Sequence, residues 1–389
     1  MIWIIIFWTS IFLLLYSYIL YPTLLRILAH RKQSNRIVYS ENDDMPDISV
    51  IMSVYNEEKV LENKINSIFN TSFPKEKMEV LIGSDGSNDR TEEILGKMNK
   101  KLTNFFFYHS NIRRGKPNVL NDLVLKAKGD ILIFTDANVL LNESTITGLV
   151  RHFKNPEIGL VDSRMINEGI KKKGISRQES AYISMEVNLK HHEGLVWGTM
   201  MGPFGGCYAM RKNLFIPVPE NFLVDDFFLN LNVLRNCKKS INDMKVTVSE
   251  DVSDILIEEF RRKKRIAAGS FQNLLHYAGL LWPPYTSLSF SFISHKILRW
   301  FGPLFLILIF ISNAFIFMIN EIYRYSIYLI GTLIIIIIVD LIVSKFNKHI
   351  AFFRYVTHFF SMNLALSLGF INFLKGIKTN VWEPTKRNQ

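Results

Sequence analysis

Cysteine is nearly absent from this chain: 389 residues contain only Cys207 and Cys237. Two thiols supply neither a disulfide framework nor a structural zinc site, and they fit a reducing compartment. Low-complexity linkers and internal repeats are also missing. A net charge of +11 raises the possibility of a nucleic-acid partner, but no nucleic-acid-binding motif accompanies it. The densest basic run, Arg261 to Arg265, stands just before a hydrophobic C-terminal part, where lipid headgroups or a diphosphate are better partners.

Charge is missing altogether from Ile2 to Leu25. At ~1.5 Å per residue such a run makes a helix long enough for a ~30 Å hydrocarbon core. It has no basic start and no small-residue cleavage site, so residues 1–25 are expected to be an uncleaved anchor rather than a signal peptide. Arg26, Arg31, Lys32 and Arg36 follow it closely, which predicts that the middle of the chain is cytoplasmic. Further apolar runs cover Trp300 to Asn320, Tyr325 to Val339 and Tyr355 to Leu374. Residues 297–389 are therefore expected to hold about three spans and a short tail. Four spans in all would return that tail to the side of the N-terminus, yet Lys375, Lys378, Lys386 and Arg387 favour the cytoplasm. Residues 266–296, with Trp282-Pro283-Pro284-Tyr285 at their centre, read as helices lying at the interface.

Between these hydrophobic parts the composition becomes that of an α/β domain, with short β-branched runs alternating with helical patterns. Ile48–Val54, Met78–Ser84, Phe105–Tyr108 and Asp130–Thr135 read as strands, and helices are predicted from Glu57 behind an Asn56 cap, over Thr91–Met98 and over Lys116–Lys126. The alternation predicts a largely parallel sheet. Ligands in such sheets sit beyond the carboxyl ends of the strands. Polar clusters follow all four strands there: Tyr55-Asn56-Glu57, Asp85 to Asp89, Arg113 to Lys116, and Asp136-Ala137-Asn138.

Ile48 to Glu57, Asp85 to Thr91, Gly115-Lys116 with Leu120-Asn121, and Thr135 to Asn138 together resemble the inverting family 2 glycosyltransferases. Gly202 to Arg211 and Val224-Asp225-Asp226 are similar to that family's acceptor loop and acidic motif. The resemblance covers roughly Asp47 to Arg265, and the flanking helices are similar to the membrane-bound branch that includes cellulose, hyaluronan and poly-N-acetylglucosamine synthases. It implies a Rossmann-like α/β domain of the GT-A type over residues 46–265, with flanking transmembrane helices. The implied reaction moves a sugar, with inversion, from a UDP-sugar to a hydroxyl on a polysaccharide or lipid-linked acceptor.

The departing diphosphate is strongly anionic, so this chemistry calls for a divalent cation, Mg²⁺ or Mn²⁺, and cationic side chains. The resemblance implies Asp136 as the metal's charged ligand, with Asn138 where many members have a second Asp. Asp85 matches a position that contacts the nucleobase, beside Tyr55 and Glu57; a plain turn would also use Asp-Gly here. Lys116 matches a position near the diphosphate, and Gly205 and Gly206 lie in the acceptor loop. Asp226 matches the base that takes the acceptor proton, and Asp225 could raise its pKa; two acids could equally favour a helix N-terminus. The processive members' Gln-x-x-Arg-Trp motif corresponds to Arg262-Lys263-Lys264-Arg265-Ile266, which keeps Arg and loses Gln and Trp. Arg262 and Arg265 could pair with phosphate, or with anionic lipid. His191-His192 and His276 lack a third ligand and are read as solvated or core residues.

Rival readings are a single-sugar transferase acting on a lipid carrier, and a silent membrane scaffold that keeps the fold for binding. A transporter fits poorly, since the spans carry few polar residues besides Asp340 and His358. Membrane lipids are expected partners, nucleic acid is not, and an accessory membrane subunit is left open.

Overall fold

The computed structural model describes residues 1–168, 176–251, 256–346, 348 and 350–381. Lys386 and Arg387, used above in reading the tail, lie outside the described residues. Contacts divide the chain into two compact units, one from the described parts of Met1–Ile27, Ile170–Ser184 and Ser253–Lys375, the other from those of Leu28–Gly169, Met185–Val252 and Gly376–Gln389.

The second unit is built on an eight-stranded sheet in the order β3-β2-β1-β4-β7-β6-β8-β5. Its strands are β1 Ile48–Val54, β2 Met78–Asp85, β3 Phe105–Ser110, β4 Ile131–Thr135, β5 Leu140–Leu141, β6 Ile158–Glu168, β7 Cys207–Arg211 and β8 Lys239–Asp251. β3, β2, β1 and β4 are mutually parallel. β7 then runs antiparallel to both β4 and β6, β6 pairs parallel with β8, and β5 runs antiparallel to β8, so the sheet is largely parallel, as expected, with β7 and β5 reversed. β1 and β4 are buried on both faces, which their Ile, Val, Leu and Phe side chains permit.

The helix α1, Ile2–Ala29, is apolar and belongs mainly to the first unit. In the second unit α2 Leu61–Phe69, α3 Thr91–Lys101 and α4 Lys116–Lys126 lie between successive strands, followed by α5 Thr145–Val150. α2 turns Leu61, Ile65 and Ile68 into the core. It starts four residues later than predicted, because Asn56 adopts φ +54° and spends its side chain elsewhere: its Oδ1 accepts from the Asn88 N–H at 2.9 Å. Two further helices are α6 Ser176–Trp197, whose residues up to Ser184 group with the first unit, and α7 Asp225–Arg235. The half of the sheet beyond β4 brings the Gly202–Gly206 loop and the start of α7 to the rim where β1, β2 and β4 end.

The first unit holds α8 Leu256–His276, α9 Ser287–Trp300, α10 Gly302–Ile316, α11 Glu321–Lys345 and α12 Ala351–Leu374. α8 runs unbroken through position 265, the expected end of the catalytic domain. α9 and α10 meet at a 58° bend, at Phe301 before the Gly302-Pro303 pair. Among the described residues three helices are long and apolar enough to cross a membrane, and four if the bent pair is one span.

Candidate active site

Asp85 ends β2 and is 3% exposed. Its Oδ1 accepts from the Arg114 N–H at 2.7 Å and its Oδ2 from the Gly115 N–H at 2.8 Å. A carboxylate shared by two backbone donors fixes the loop into α4, so Asp85 shapes the rim as well as lining it. Gly115 takes φ +90° at that point, a conformation suited to glycine. Tyr55, just past β1, lies under the Arg113 guanidinium, 3.6 Å from its ring centroid. This cation–π contact joins the first and third polar clusters into one wall. Glu57 is held by its backbone N–H, which donates to Thr91 Oγ1 at 2.9 Å.

Fixing that loop aims Lys116 at the ends of β4 and α7. Its Nζ lies 2.8 Å from Asp136 Oδ1 and 3.7 Å from Asp225 Oδ2. Burial works against its charge, but Asp136, Asp225 and Asp226 more than offset burial and hold Lys116 protonated well above the usual lysine range. Three carboxylates and one ammonium thus converge at the rim.

Asp226 has the opposite bias. Burial and the neighbouring Asp225 push its carboxyl up to about 6, against the pull of Lys116, the Phe227 N–H and Lys190. Its Oδ1 accepts from the Phe227 N–H at 2.7 Å. Its Oδ2 lies against Gly205, where a Cβ would come within 2.5 Å and φ is +87°. Asp225 and Asp226 both occupy the first turn of α7, so the capping position expected for them is real. Of these two, Asp225 is the one within ion-pair distance of Lys116, at 3.7 Å. Gly206 carries the other side of the loop, its carbonyl accepting from the Asp136 N–H at 3.1 Å and from Thr135 Oγ1 at 3.0 Å.

Asn138 donates its Nδ2 to Glu250 Oε1 at 2.8 Å, which turns its carbonyl oxygen into the atom that could meet a cation. Among the described residues no group of three or more His, Cys, Asp or Glu is arranged around a metal position. The donor set does fit a hard divalent ion that takes one carboxylate from the protein and its other ligands from phosphates and water. Arg262 and Arg265 lie on α8 in the other unit, where Arg262 pairs with Glu259 at 3.3 Å and Glu179 at 3.6 Å, and Lys263 with both acids. The basic run is therefore partly neutralised by buried glutamates, which the sequence reading did not include.

Four more residues were missed. Lys64 of α2, with no exposed surface, donates to Thr135 Oγ1 at 2.7 Å and to the Val139 carbonyl, bracketing the Asp136–Asn138 turn from beneath. Burial lowers its ammonium to about 7, with Cys207 and Asp136 opposing. Asp162 of β6 accepts the Phe204 N–H at 2.9 Å and holds the glycine loop from behind. Burial pushes it up to about 7, and Lys190 of α6 works against that. Tyr208 stacks on Phe134, and its buried hydroxyl lies in the field of the acids, so its pKa is raised by burial first and then by Asp225 and Asp226. A signal existed for two of them. Lys64 sits on the apolar stripe of α2 and Asp162 interrupts Leu160-Val161 in a buried strand, and charges in such places need a reason.

The glycosyl transferase family 2 model matches residues 49–218. A poly-beta-1,6-N-acetyl-D-glucosamine synthase of Staphylococcus epidermidis is 31% identical over 133 residues, 33% of this chain and 32% of that protein. One from Staphylococcus aureus (strain COL) is 29% identical over 120 residues, 31% of this chain and 28% of that protein. The matched stretch is thus about a third of the length of these relatives. A mannosyltransferase from Pyrobaculum calidifontis, solved in complex with GDP-Man and Mn²⁺, superposes with a TM-score of 0.72 at 19% identity, covering 95% of this chain and 99% of that one. That likeness shows a shared GT-A-type α/β fold. Residues 49–218 thus match a glycosyl transferase family 2 domain, and within that stretch the chain resembles the poly-N-acetylglucosamine synthases.

Proposed function

We propose that the chain transfers a sugar from a UDP-sugar to a hydroxyl on a polysaccharide or lipid-linked acceptor, with inversion, at the cytoplasmic face of the membrane. The observation that carries this reading is the opposed pair on one rim: Asp226, with its pKa raised to about 6, and Lys116, held protonated beside Asp136. A base poised near neutrality suits proton abstraction from a hydroxyl, and a fixed cation suits a departing diphosphate. The acceptor oxygen bonds to the anomeric carbon, its proton goes to Asp226, and the carbon–oxygen bond to the diphosphate breaks with its electron pair leaving on the nucleotide. A divalent cation held by Asp136, with Asn138 beside it, would neutralise charge on that leaving group. Lys116 contributes charge of the same sign. Asp85 and Tyr55 border the nucleotide wall, Glu57 stands at its edge, and Gly205 with Gly206 gives the acceptor room beside Asp226. The Mn²⁺ and nucleotide sugar named for the Pyrobaculum enzyme, and the polymer-forming activity named for the staphylococcal relatives, support the same chemistry.

The test is UDP release from a panel of UDP-sugars by the purified full-length protein in detergent with Mn²⁺ or Mg²⁺. Turnover with at least one sugar, lost on chelation and in Asp136→Ala, is expected. Chelation-insensitive turnover would remove the metal from the scheme. No turnover with any donor, while UDP still binds, would favour a silent scaffold. Mass analysis of products separates a polymer ladder from a single sugar on a lipid carrier.

A further inference from the structure

By composition α12 qualifies as a membrane span, but its contacts within the membrane-helix unit give it another course. α1 and the bent pair α9–α10 run antiparallel along their length. Tyr21 meets Phe290 at 5.8 Å between ring centroids, Tyr16 Oη lies 2.9 Å from Ser294 Oγ, Arg299 donates to the Ser17 carbonyl, and Trp3 stacks on Phe315 at 4.4 Å. From residue 3 to residue 21 is about 27 Å of helix, the thickness of a hydrocarbon core. The tyrosines at positions 16, 18 and 21 form an aromatic belt at the end from which the chain leads on to Leu28. α11 returns after a four-residue turn, and Asp340 near its end pairs with Arg354 at 3.6 Å, so α12 starts back at the belt end.

From there α12 does not climb. Phe359 packs on Tyr18 at 5.9 Å, and Asn363 lies against Gly302. Phe370 packs on Phe271 at 4.7 Å, and Phe271 in turn meets Trp300 and Phe301. Positions 359, 363 and 370 thus span about 16 Å of helix while staying level with residues 299–302. α12 is laid along α8, where Gly369 abuts Ala267 and the Lys264 carbonyl, and His358 lies 3.3 Å from Glu179 of α6, which itself pairs with Arg262 and Lys263 of α8. α8 carries Arg261 to Arg265 and cannot enter hydrocarbon. Lys345 and Lys348 precede α12, and Lys375 and Lys378 follow it, whereas the α10–α11 turn, Phe317 to Asn320, is uncharged. Residues 376–381 group with the catalytic unit, where Asn380 donates to the Glu220 carbonyl beside Gly115.

We infer that α12 does not cross the membrane but lies in its interface, on α8, with both of its ends on the same side. The chain then crosses three times, by α1, by α9–α10 and by α11, and its partner along α12 is the headgroup and acyl boundary of one leaflet. This removes the conflict between span count and basic tail, and it is independent of the sugar-transfer reading.

Single-cysteine labelling of the full-length protein tests it. In a Cys237→Ser background, Met318→Cys, Lys348→Cys and Lys378→Cys are exposed to a membrane-impermeant maleimide in intact and in permeabilised cells, with denatured samples to confirm each thiol. Lys348→Cys and Lys378→Cys should share one side, that of Cys237 in the parent, and Met318→Cys should take the other. Opposite sides for positions 348 and 378 would overturn the inference. Alkaline phosphatase fused after Met318 or after Gln389 gives a second reading without cysteine variants: opposite activities are expected, and equal activities would contradict it.

Discussion

Asp226 and Lys116 share carboxylate neighbours and answer them in opposite ways. An acid beside Asp225 binds its proton more tightly, and a lysine beside the same residue becomes harder to deprotonate. The base role proposed for Asp226 requires its ionised form, so transfer should fall about tenfold per unit as pH drops below about 6. Asp225→Asn removes the like charge and should move that midpoint downward; a rate–pH profile that does not shift would detach Asp225 from the base. Gly205→Ala places a methyl against Asp226 Oδ2 at a φ of +87°, so transfer should fall by an order of magnitude or more while UDP titration stays near the parent value. Equal loss of both would mean that the loop, not the carboxylate, had been disturbed. Asp85, Asp136 and Lys116 could be picked out in the sequence because they follow strands at the rim, and Asp225 and Asp226 only through the resemblance to the family's acidic motif. Lys64 and Asp162 left only the mark of a charge in an apolar pattern and Tyr208 none, because their roles depend on contacts between distant parts of the chain.

At the level of elements, β1, β2, β3 and β4 and the helix Lys116–Lys126 could be read closely from local patterns, since each carries its own period and breakers. The half of the sheet beyond β4 could not. Cys207–Arg211 reads as the end of a glycine loop until β4 and β6 flank it and make it β7. Asp162 belongs to this half, and its folded pKa of about 7 exceeds the ordinary 3.8. An acid with a raised folded pKa favours the fold while protonated, so its contribution is lost as pH rises from about 4 through 7. Asp162→Asn keeps an oxygen for the Phe204 N–H and removes the titration. The detergent-solubilised variant should melt higher than the parent at pH 8 and show a flatter Tm profile between pH 5 and 8; an unchanged profile would place the ionisation elsewhere. Lys64→Met loosens both ends of the Asp136 turn and should weaken Mn²⁺-dependent UDP binding more than metal-free binding, as read by calorimetry. Equal weakening would make Lys64 a general core residue.

For the whole molecule, hydropathy located the membrane part but could not separate a crossing helix from one lying in the interface. Arg354 and His358 count against a span only once their partners Asp340 and Glu179 are seen. The account of function rests on a division of labour within the other unit, with Asp136 and Lys116 serving the donor and Asp226 serving the acceptor. Asp226→Asn keeps the size and much of the hydrogen bonding of the side chain and removes its basicity. Titrating UDP against this variant while measuring its transfer rate tests the division directly. The account predicts a rate lower by about 10²-fold or more with UDP affinity retained, whereas affinity that collapses together with activity, or activity that persists, would contradict it.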